Sequence, residues 1–131
     1  MPAPETPKLT VDIVIPSEGG IVLIQRKNEP FKGEWALPGG FVDIGETVEN
    51  AAVREAKEET SLEVELSKLV GVYSDPERDP RGHNVSIVFL ARIAGGEMKA
   101  DTDADEVEVL DPSSVELAFD HREIVADALG G

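Results

Sequence analysis

Residues 38 to 62 limit the possible structures of this chain more than any other segment. They place carboxylates on the core-facing side of a predicted helix. The segment reads PGGFVDIGETVENAAVREAKEETSL, and its spacing predicts a helix from about Glu46. At roughly 100° per residue, Glu55 and Glu59 fall in line with an apolar stripe, and Glu58 borders it. A solvated acidic face, the alternative interpretation of a glutamate-rich helix, predicts glutamates on the opposite side. The apolar stripe consists of Val48, Ala51, Ala52 and Ala56.

Carboxylates crowded on an inward face require compensation. Like charges three or four residues apart on a helix repel by about 0.2–0.5 kcal/mol per pair. Several ionised groups in one pocket must become protonated, pair with cations or bind metal, and Arg54 supplies only part of the positive charge needed. Mg²⁺ prefers oxygen ligands beside substrate phosphates, and the chain contains no cysteine. We therefore expect Mg²⁺, with Mn²⁺ as a substitute, at these glutamates.

Length and charge limit the class of protein. The 131 residues suit one domain, and 40% hydrophobic against 30% charged residues is a globular balance. A net charge of −15 disfavours binding to nucleic acid or to anionic membranes. The sequence has neither a run of about 20 apolar residues nor the basic start and apolar middle of a secretory signal. We therefore expect a single-domain cytoplasmic protein that binds neither nucleic acid nor membrane.

The remaining sequence alternates between strand and turn patterns and predicts an α/β chain without repeats or an internal linker. Residues 1–7 are proline-rich and predict a loose tail. A final helix is predicted from Arg122 to Leu129, with Asp120 as its N-cap and Gly130 as its stop. One face of that helix carries Ile124, Val125, Ala128 and Leu129. Strands are predicted at 9–15, 21–26, in a short piece within 36–43, and at 63–72, 84–93 and 106–110, with loops at 28–35, 74–83 and 94–105.

The segment that contains the predicted helix also matches the spacing GX5EX7REUXEEXGU, in which U is an apolar residue. In this spacing the chain resembles the Nudix hydrolases. Ser61 stands where the pattern has glycine. Glycine suits a left-handed helix C-cap, so the departure bears on how the helix ends and not on the carboxylates. The matching positions are Gly40, Glu46, Arg54, Glu55, Ala56, Glu58, Glu59 and Leu62.

The resemblance implies an α+β Nudix fold, in which a mixed β-sheet is sandwiched between α-helices. It also implies an enzyme that binds divalent metal and hydrolyses a nucleoside diphosphate linked to another group. At the matching positions, Glu55, Glu58 and Glu59 are implied as metal ligands or catalytic base. Gly39 is implied as a metal ligand through its backbone carbonyl.

Two further roles follow from the resemblance. Glu46 and Arg54 are similar to the pair that positions the helix, and a surface ion pair of little energetic value is the alternative for them. A later loop often supplies the catalytic base in this family, and Glu106 is the first candidate here. Behind it stand Glu97, Asp103 and Asp105, and for each single one a solvated acidic loop is the more ordinary interpretation.

Substrate choice lies outside the shared motif. The stretch SDPERDPRGHNVSIVFL resembles the loop after the motif in ADP-ribose pyrophosphatases, where a proline is typical and Pro76 or Pro80 is the candidate. Arg78 and Arg81 could hold phosphate or the terminal ribose through forked donors. The alternative for both arginines is pairing with neighbouring acids, namely Asp75, Glu77 and Asp79.

The function that these resemblances predict is Mg²⁺-dependent hydrolysis of ADP-ribose to AMP and ribose 5-phosphate. Related enzymes are commonly dimers, which implies a homodimer. A nucleoside triphosphate-sanitising or dinucleotide-hydrolysing Nudix enzyme is the alternative among enzymes. A non-catalytic Nudix domain that senses a ligand is the alternative from another class, and the complete set of carboxylates argues against it.

Overall fold

The computed structural model describes residues 4–99 and 104–130. Residues 4–7 of the predicted tail lack regular secondary structure. Within the described ranges, no helix is both long and apolar enough to cross a membrane. In chain order, the elements are β1 (Lys8–Val14), β2 (Pro16–Ser17), β3 (Gly20–Arg26), β4 (Trp35–Ala36), β5 (Gly39–Phe41), α1 (Val48–Thr60), β6 (Leu62–Tyr73), β7 (Asn84–Gly96), β8 (Ala104–Leu110), a 3₁₀ turn (Pro112–Ser114) and α2 (His121–Gly130).

The strands form two four-stranded sheets. In the first sheet the order is β5-β1-β7-β6, with β1 parallel to β7 and the other neighbours antiparallel. In the second sheet, β3 pairs antiparallel with β2, β4 and β8. The parallel pair makes the first sheet mixed, as expected. Its edge strand β5 carries Gly39 and Gly40, so one side of this backbone is available to side chains of α1.

The two helices cover opposite faces of the strands. Ile13 of β1 packs in one cluster with Ala52 and Ala56 of α1, whereas the next residue, Val14, packs with Ile124 of α2. Successive side chains of a strand point to opposite faces, so α1 and α2 lie on opposite sides. The structure therefore confirms the predicted sandwich of a mixed sheet between helices.

Helix α1 begins at Val48, two residues after the predicted start. Thr47 is its N-cap, with extended backbone (φ −73°, ψ 156°) and a side chain that accepts the Asn50 N–H. After the helix, Ser61 takes the left-handed conformation (φ 66°), and its N–H donates to the Lys57 carbonyl at 2.9 Å. Serine therefore closes the helix in a conformation that glycine adopts at lower cost.

Helix α2 corrects one prediction about its apolar face. Ile124, Val125 and Ala128 are buried, but Leu129 is 49% exposed. At roughly 100° per residue, Leu129 lies at the border of the apolar stripe, turned from its centre toward solvent. The helix itself runs one residue beyond the predicted range at each end.

Two smaller differences concern the strands. β4 reaches into the predicted loop 28–35, and β7 continues three residues past its predicted end, to Gly96. Pairing explains both, because Trp35 pairs with Gln25 of β3 and Gly96 pairs with Leu62 of β6. Short or glycine-containing strands of this kind are defined by their pairing partner and not by a periodic pattern of their own.

Candidate active site

Glu46 and Arg54 form a bidentate ion pair that ties α1 to the loop before it. Arg54 Nε donates to one Glu46 carboxylate oxygen at 2.7 Å, and Nη2 donates to the other at 2.9 Å. The same Nη2 donates to the Phe41 carbonyl at 3.0 Å. Hydrogen bonds from Arg54 and from the Asp43 N–H lower the pKa of Glu46 to about 2. Fixed, charge-assisted geometry of this kind is what a positioning pair requires, and the positioning role stays a prediction.

Arg54 also contacts two of the three glutamates predicted as metal ligands. Its Nη1 donates to Glu55 at 2.7 Å and to Glu58 at 3.0 Å. Glu55 is the more enclosed, with 13% of its side chain exposed against 52% for Glu58. Burial raises the pKa of Glu55 above its usual value, although the Arg54 guanidinium opposes the shift. One guanidinium therefore compensates part of the crowded negative charge.

Two glycines bring the β5 backbone against these carboxylates. The Gly39 N–H donates to Glu59 Oε1 at 2.6 Å. The N–H and C=O of one residue face the same side in an antiparallel ladder, so the Gly39 carbonyl is directed to that side as well. A Cβ at Gly40 would lie 2.4 Å from a Glu55 carboxylate oxygen, and a Cβ at Gly39 would lie 2.5 Å from Asp12 Oδ1. At Gly39 a Cβ would also lie 2.2 Å from the Val11 carbonyl oxygen, so that position requires glycine, whereas a side chain at Gly40 would displace the Glu55 carboxylate.

The oxygen atoms gathered here suit a hard divalent cation in their chemistry. Glu55, Glu58 and Glu59 offer carboxylates from one end of α1, and Gly39 offers a carbonyl. In the described parts of the chain, no three acidic or histidine side chains already surround a point that could hold a metal ion. The contacts give a reason, because Arg54 engages Glu55 and Glu58 while the Gly39 N–H engages Glu59. Metal binding by this set would require the carboxylates to turn from these donors.

A cleft of about 430 Å³ opens beside the glycine segment, Gly39 and Gly40 of β5. Gly39, Gly40 and Glu59 line one part of it, and Arg78 and Arg81 line another. Pockets that bind small ligands typically enclose about 300–1,000 Å³, so the cleft has the size of a ligand site. The structure thus brings the predicted substrate-binding arginines and part of the predicted metal site to one cavity.

Arg78 is held by an acid that lies directly before α2. Its Nε and Nη2 donate to the two carboxylate oxygens of Asp120 at 2.8 and 2.7 Å, and 5% of its side chain is exposed. Burial disfavours the charged form, but the hydrogen bonds to Asp120 outweigh it and raise the pKa of Arg78. This partner differs from the neighbouring acids Asp75, Glu77 and Asp79, because Asp120 lies 42 residues further along the chain. Asp120, expected as the N-cap of α2, thus binds a guanidinium with both oxygens.

Arg81 does pair with a neighbouring acid. Its Nε and Nη2 donate to Asp79 at 3.1 and 2.8 Å, and its guanidinium lies 5.4 Å from the centre of the Phe119 ring. Burial would raise the pKa of Asp79, but hydrogen bonds from Arg81 and Asn84 lower it to about 2. Because 45% of the Arg81 side chain is exposed, Arg81 can pair with Asp79 and still contact a ligand.

The other predicted residues do not line this cleft. Pro76 is exposed in the loop after β6, and Glu97 is exposed after β7. Glu106 is exposed on β8. Asp103 lies outside the described residues, as does the side chain of Asp105. The roles assigned to Pro76 and Glu106 therefore stay predictions.

Several cleft residues escaped the sequence analysis. Phe119 and His121 line the cleft, and Asp120 between them holds Arg78. Asp12 and Arg26 line it from β1 and β3. Two signals were available in the sequence, namely an acidic residue inside the apolar run LTVDIVI and an aromatic, an acid and a histidine in succession before a helix. Neither pattern identifies a site unless the tertiary contacts are known.

Comparison with known sequences agrees with the motif. A family model of the NUDIX domain matches residues 6–128. The chain is 56% identical over 122 residues to the ADP-ribose pyrophosphatase of Methanocaldococcus jannaschii. That match covers 92% of this chain and 72% of the relative.

Solved structures of related proteins share the fold. A MutT/nudix family protein from Enterococcus faecalis matches with a TM-score of 0.86 and 35% identity, covering 99% of this chain and 63% of that one. The NUDIX domain of Shewanella oneidensis NrtR, crystallised with ADP ribose, matches with a TM-score of 0.82 and 28% identity, covering 95% of this chain and 87% of that one. The chain thus spans less than two thirds of the Enterococcus protein and most of the Shewanella domain. The motif, the family model and the shared fold agree that this chain belongs to the Nudix hydrolase family.

Proposed function

We propose that this protein is a Mg²⁺-dependent pyrophosphohydrolase that cleaves ADP-ribose to AMP and ribose 5-phosphate. The observation that carries the proposal is the cleft that Gly39 and Glu59 share with Arg78 and Arg81. The relative from M. jannaschii is named an ADP-ribose pyrophosphatase, and the S. oneidensis domain was crystallised with ADP ribose. Both support ADP-ribose as the ligand of this cleft.

Hydrolysis of a diphosphate requires that its negative charge be neutralised and that a water molecule be activated. Mg²⁺ bound at this site would supply both, by neutralising phosphate charge and lowering the pKa of a water molecule. In this chain Glu55, Glu58, Glu59 and the Gly39 carbonyl would hold it. The water oxygen bonds to one phosphorus, the bridging P–O bond breaks, and a glutamate accepts the water proton. Glu106 stays a candidate for that base beside the glutamates of α1.

The cleft is much less acidic than the chain as a whole, which favours an anionic ligand there over the rest of the surface. The net charge is −15, which would repel a diphosphate at most of the surface. Four cationic residues line the cleft beside four acidic ones, so its formal charge is balanced, in contrast to the rest of the chain; they are Arg26, Lys27, Arg78 and Arg81 beside Asp12, Glu29, Glu59 and Asp79. The bidentate pairs with Asp120 and Asp79 hold Arg78 and Arg81 in fixed orientations, so less conformational freedom is lost when a ligand binds.

A hydrolysis panel tests this proposal. The purified protein is assayed with Mg²⁺ on ADP-ribose, dinucleotides, nucleotide sugars and nucleoside triphosphates. We expect the highest kcat/KM for ADP-ribose, with AMP and ribose 5-phosphate formed in equal amounts. A preference for triphosphates or dinucleotides would replace the proposed substrate. Tight binding of ADP-ribose without turnover would instead favour a ligand-sensing domain.

A homodimer is the assembly proposed with this function. Leu69 and Val72 are each 55% exposed, and both lie on β6, an edge strand of the first sheet. Apolar side chains exposed on an edge strand form a surface that a second chain can cover. Light scattering after gel filtration would give twice the 14.1 kDa mass of one chain. A monomeric mass would contradict this assembly.

A further inference from the structure

A buried polar cluster lies at the floor of the cleft, and no step proposed above uses it. It consists of His121 of α2, Asp12 of β1 and Ser86 of β7, which are all buried. His121 and Asp12 also line the cleft. Burying ionisable side chains is costly unless they are hydrogen-bonded. The hydrogen bonds of this cluster therefore show which groups its side chains orient.

The hydrogen bonds fix one tautomer of His121. The Leu37 N–H donates to Nδ1 at 3.1 Å, so Nδ1 carries a lone pair and the ring proton lies on Nε2. Nε2 lies 3.6 Å from Asp12 Oδ1. The other carboxylate oxygen of Asp12 accepts the Ser86 hydroxyl. The imidazole is therefore held by a backbone donor at Nδ1, and its Nε2 faces a carboxylate that is itself anchored, at a distance longer than a hydrogen bond.

Two sets of contacts connect this cluster to Gly39. Leu37, whose N–H meets His121, lies two residues before Gly39, whose N–H meets Glu59. In addition, a Cβ at Gly39 would lie 2.5 Å from Asp12 Oδ1, so the Asp12 carboxylate borders the Gly39 backbone directly. The Leu37 backbone that meets the imidazole therefore leads directly to Gly39, and the Asp12 carboxylate beside the imidazole encloses the same backbone.

We propose that His121 is a positioning residue for the metal site, because its Nδ1 anchors the Leu37 backbone and so holds Gly39 against Glu59. The proposal rests on the function proposed above, in which Gly39 and Glu59 are metal ligands. It connects α2, which the shared motif does not include, to that site. It assigns no contact between His121 and the substrate or the metal.

Two substitutions separate the bonds of the imidazole. In His121→Asn, the amide oxygen lies near the former Nδ1 position and can still accept the Leu37 N–H. In His121→Gln, the longer side chain reaches toward Asp12 and places no acceptor near Leu37. The readouts are Mn²⁺ affinity, from the paramagnetic resonance signal of unbound Mn²⁺, together with kcat and KM for ADP-ribose.

The positioning role predicts different results for the two variants. His121→Gln should weaken Mn²⁺ binding by about tenfold or more, in the range found when residues that support metal ligands are changed. It should lower kcat more than it raises KM, whereas His121→Asn should keep a Mn²⁺ affinity close to wild type. Equal Mn²⁺ affinities in both variants would overturn the proposal. A purely structural role predicts only that both variants melt at lower temperature.

Two controls distinguish this proposal from the function on which it rests. Tyr73→Phe removes the hydrogen bond that the Tyr73 hydroxyl donates to Asp127 of α2 and touches neither His121, Leu37 nor Asp12, so its melting temperature should fall while Mn²⁺ affinity is kept. Glu59→Gln should lose Mn²⁺ affinity. If Glu59→Gln binds Mn²⁺ like the wild type, the metal site itself is wrong and both proposals fail. If only His121→Gln stays like the wild type, the positioning role alone fails.

A measurement on the wild-type protein keeps the proposal testable if His121→Gln does not fold. Nitrogen NMR of the His121 ring should show the neutral form with its proton on Nε2 and an unprotonated Nδ1. A ring protonated on Nδ1 could not accept the Leu37 N–H, and that result would overturn the proposed anchor.

Discussion

At the scale of single residues, Arg54 connects Glu46, in the loop before α1, to two of the predicted metal ligands. Its guanidinium spans both Glu46 oxygens and also reaches Glu55 and Glu58. The positive charge of Arg54 neutralises part of the carboxylate charge that a metal cation would otherwise neutralise. Gly40 completes the arrangement, because any larger residue would collide with the Glu55 carboxylate.

The Glu46–Arg54 pair predicts a specific pH dependence of stability. The pKa of Glu46 is lowered from 4.5 to about 2 in the folded protein, chiefly by the Arg54 hydrogen bonds. A depressed carboxyl pKa gives stability that is present above the unfolded value and is lost as pH falls through the folded value. Urea unfolding should therefore show that wild type exceeds Glu46→Gln in stability above pH 4.5 and that this difference shrinks toward pH 2.

An Arg54→Met background provides the control for this prediction. There the main cause of the pKa shift is absent, so most of the pH dependence of the Glu46→Gln difference should disappear. A difference that stays constant with pH in the wild-type background would show that the pair is a loose surface contact.

At the scale of elements, periodicity predicted α1, α2 and the long strands because each buries one continuous apolar face. It could not locate β4, where Trp35 and Ala36 become a strand only by pairing with β3. The helix start was placed too early, because Glu46 belongs to the Arg54 pair and Thr47 supplies the cap. Sequence patterns thus predict elements with their own periodicity better than those defined only by pairing with another strand.

The end of α1 offers a stabilising substitution. Ser61 adopts a left-handed conformation (φ 66°), which costs a residue with a Cβ roughly 1–2 kcal/mol. Ser61→Gly removes that cost but increases the freedom of the unfolded chain, so we expect a net gain of about 0.5–1 kcal/mol. Denaturant unfolding measures the gain. Ser61→Ala is the matched control, because it keeps the strain and should not stabilise; equal effects of the two variants would argue against the strained cap.

At the scale of the whole molecule, the cleft is assembled from segments that lie far apart in the sequence. The Nudix resemblance implied Glu59 at a motif position and Gly39 directly before the motif, so both lie in one local segment. It could not predict that Asp120 holds Arg78 or that His121 meets Asp12, because both contacts form only when α2 packs against the sheet. The proximity of Gly39 and Glu59 thus agrees with the resemblance, their role as metal ligands stays a prediction, and the contacts that depend on tertiary packing could not be predicted.

Arg81 tests substrate recognition by the assembled cleft. Arg81→Ala removes an exposed guanidinium, while the buried Asp79 still accepts from Asn84 and from the residue 81 backbone N–H. A charge-assisted contact contributes about 1.5–3 kcal/mol, so kcat/KM for ADP-ribose should fall roughly tenfold to a hundredfold. A poor triphosphate substrate should lose much less.

Arg92→Ala is the matched control for Arg81→Ala. Arg92 forms an exposed ion pair with Glu65 on β6 and does not line the cleft. It should leave kcat/KM unchanged for every substrate. Equal losses on all substrates in Arg81→Ala would show that this arginine serves the shared diphosphate or the loop and does not select ADP-ribose.

Glu59→Gln is the decisive substitution for the proposal that the inward carboxylates of α1 bind metal for diphosphate hydrolysis. Glutamine keeps an oxygen that can accept the Gly39 N–H, which Glu59 now accepts at 2.6 Å, so the substitution removes charge with little change of shape. The measurement is kcat for ADP-ribose at saturating Mg²⁺. We predict a fall of at least about a hundredfold, with a metal-free melting temperature equal to or above that of wild type. A kcat close to wild type would contradict the account.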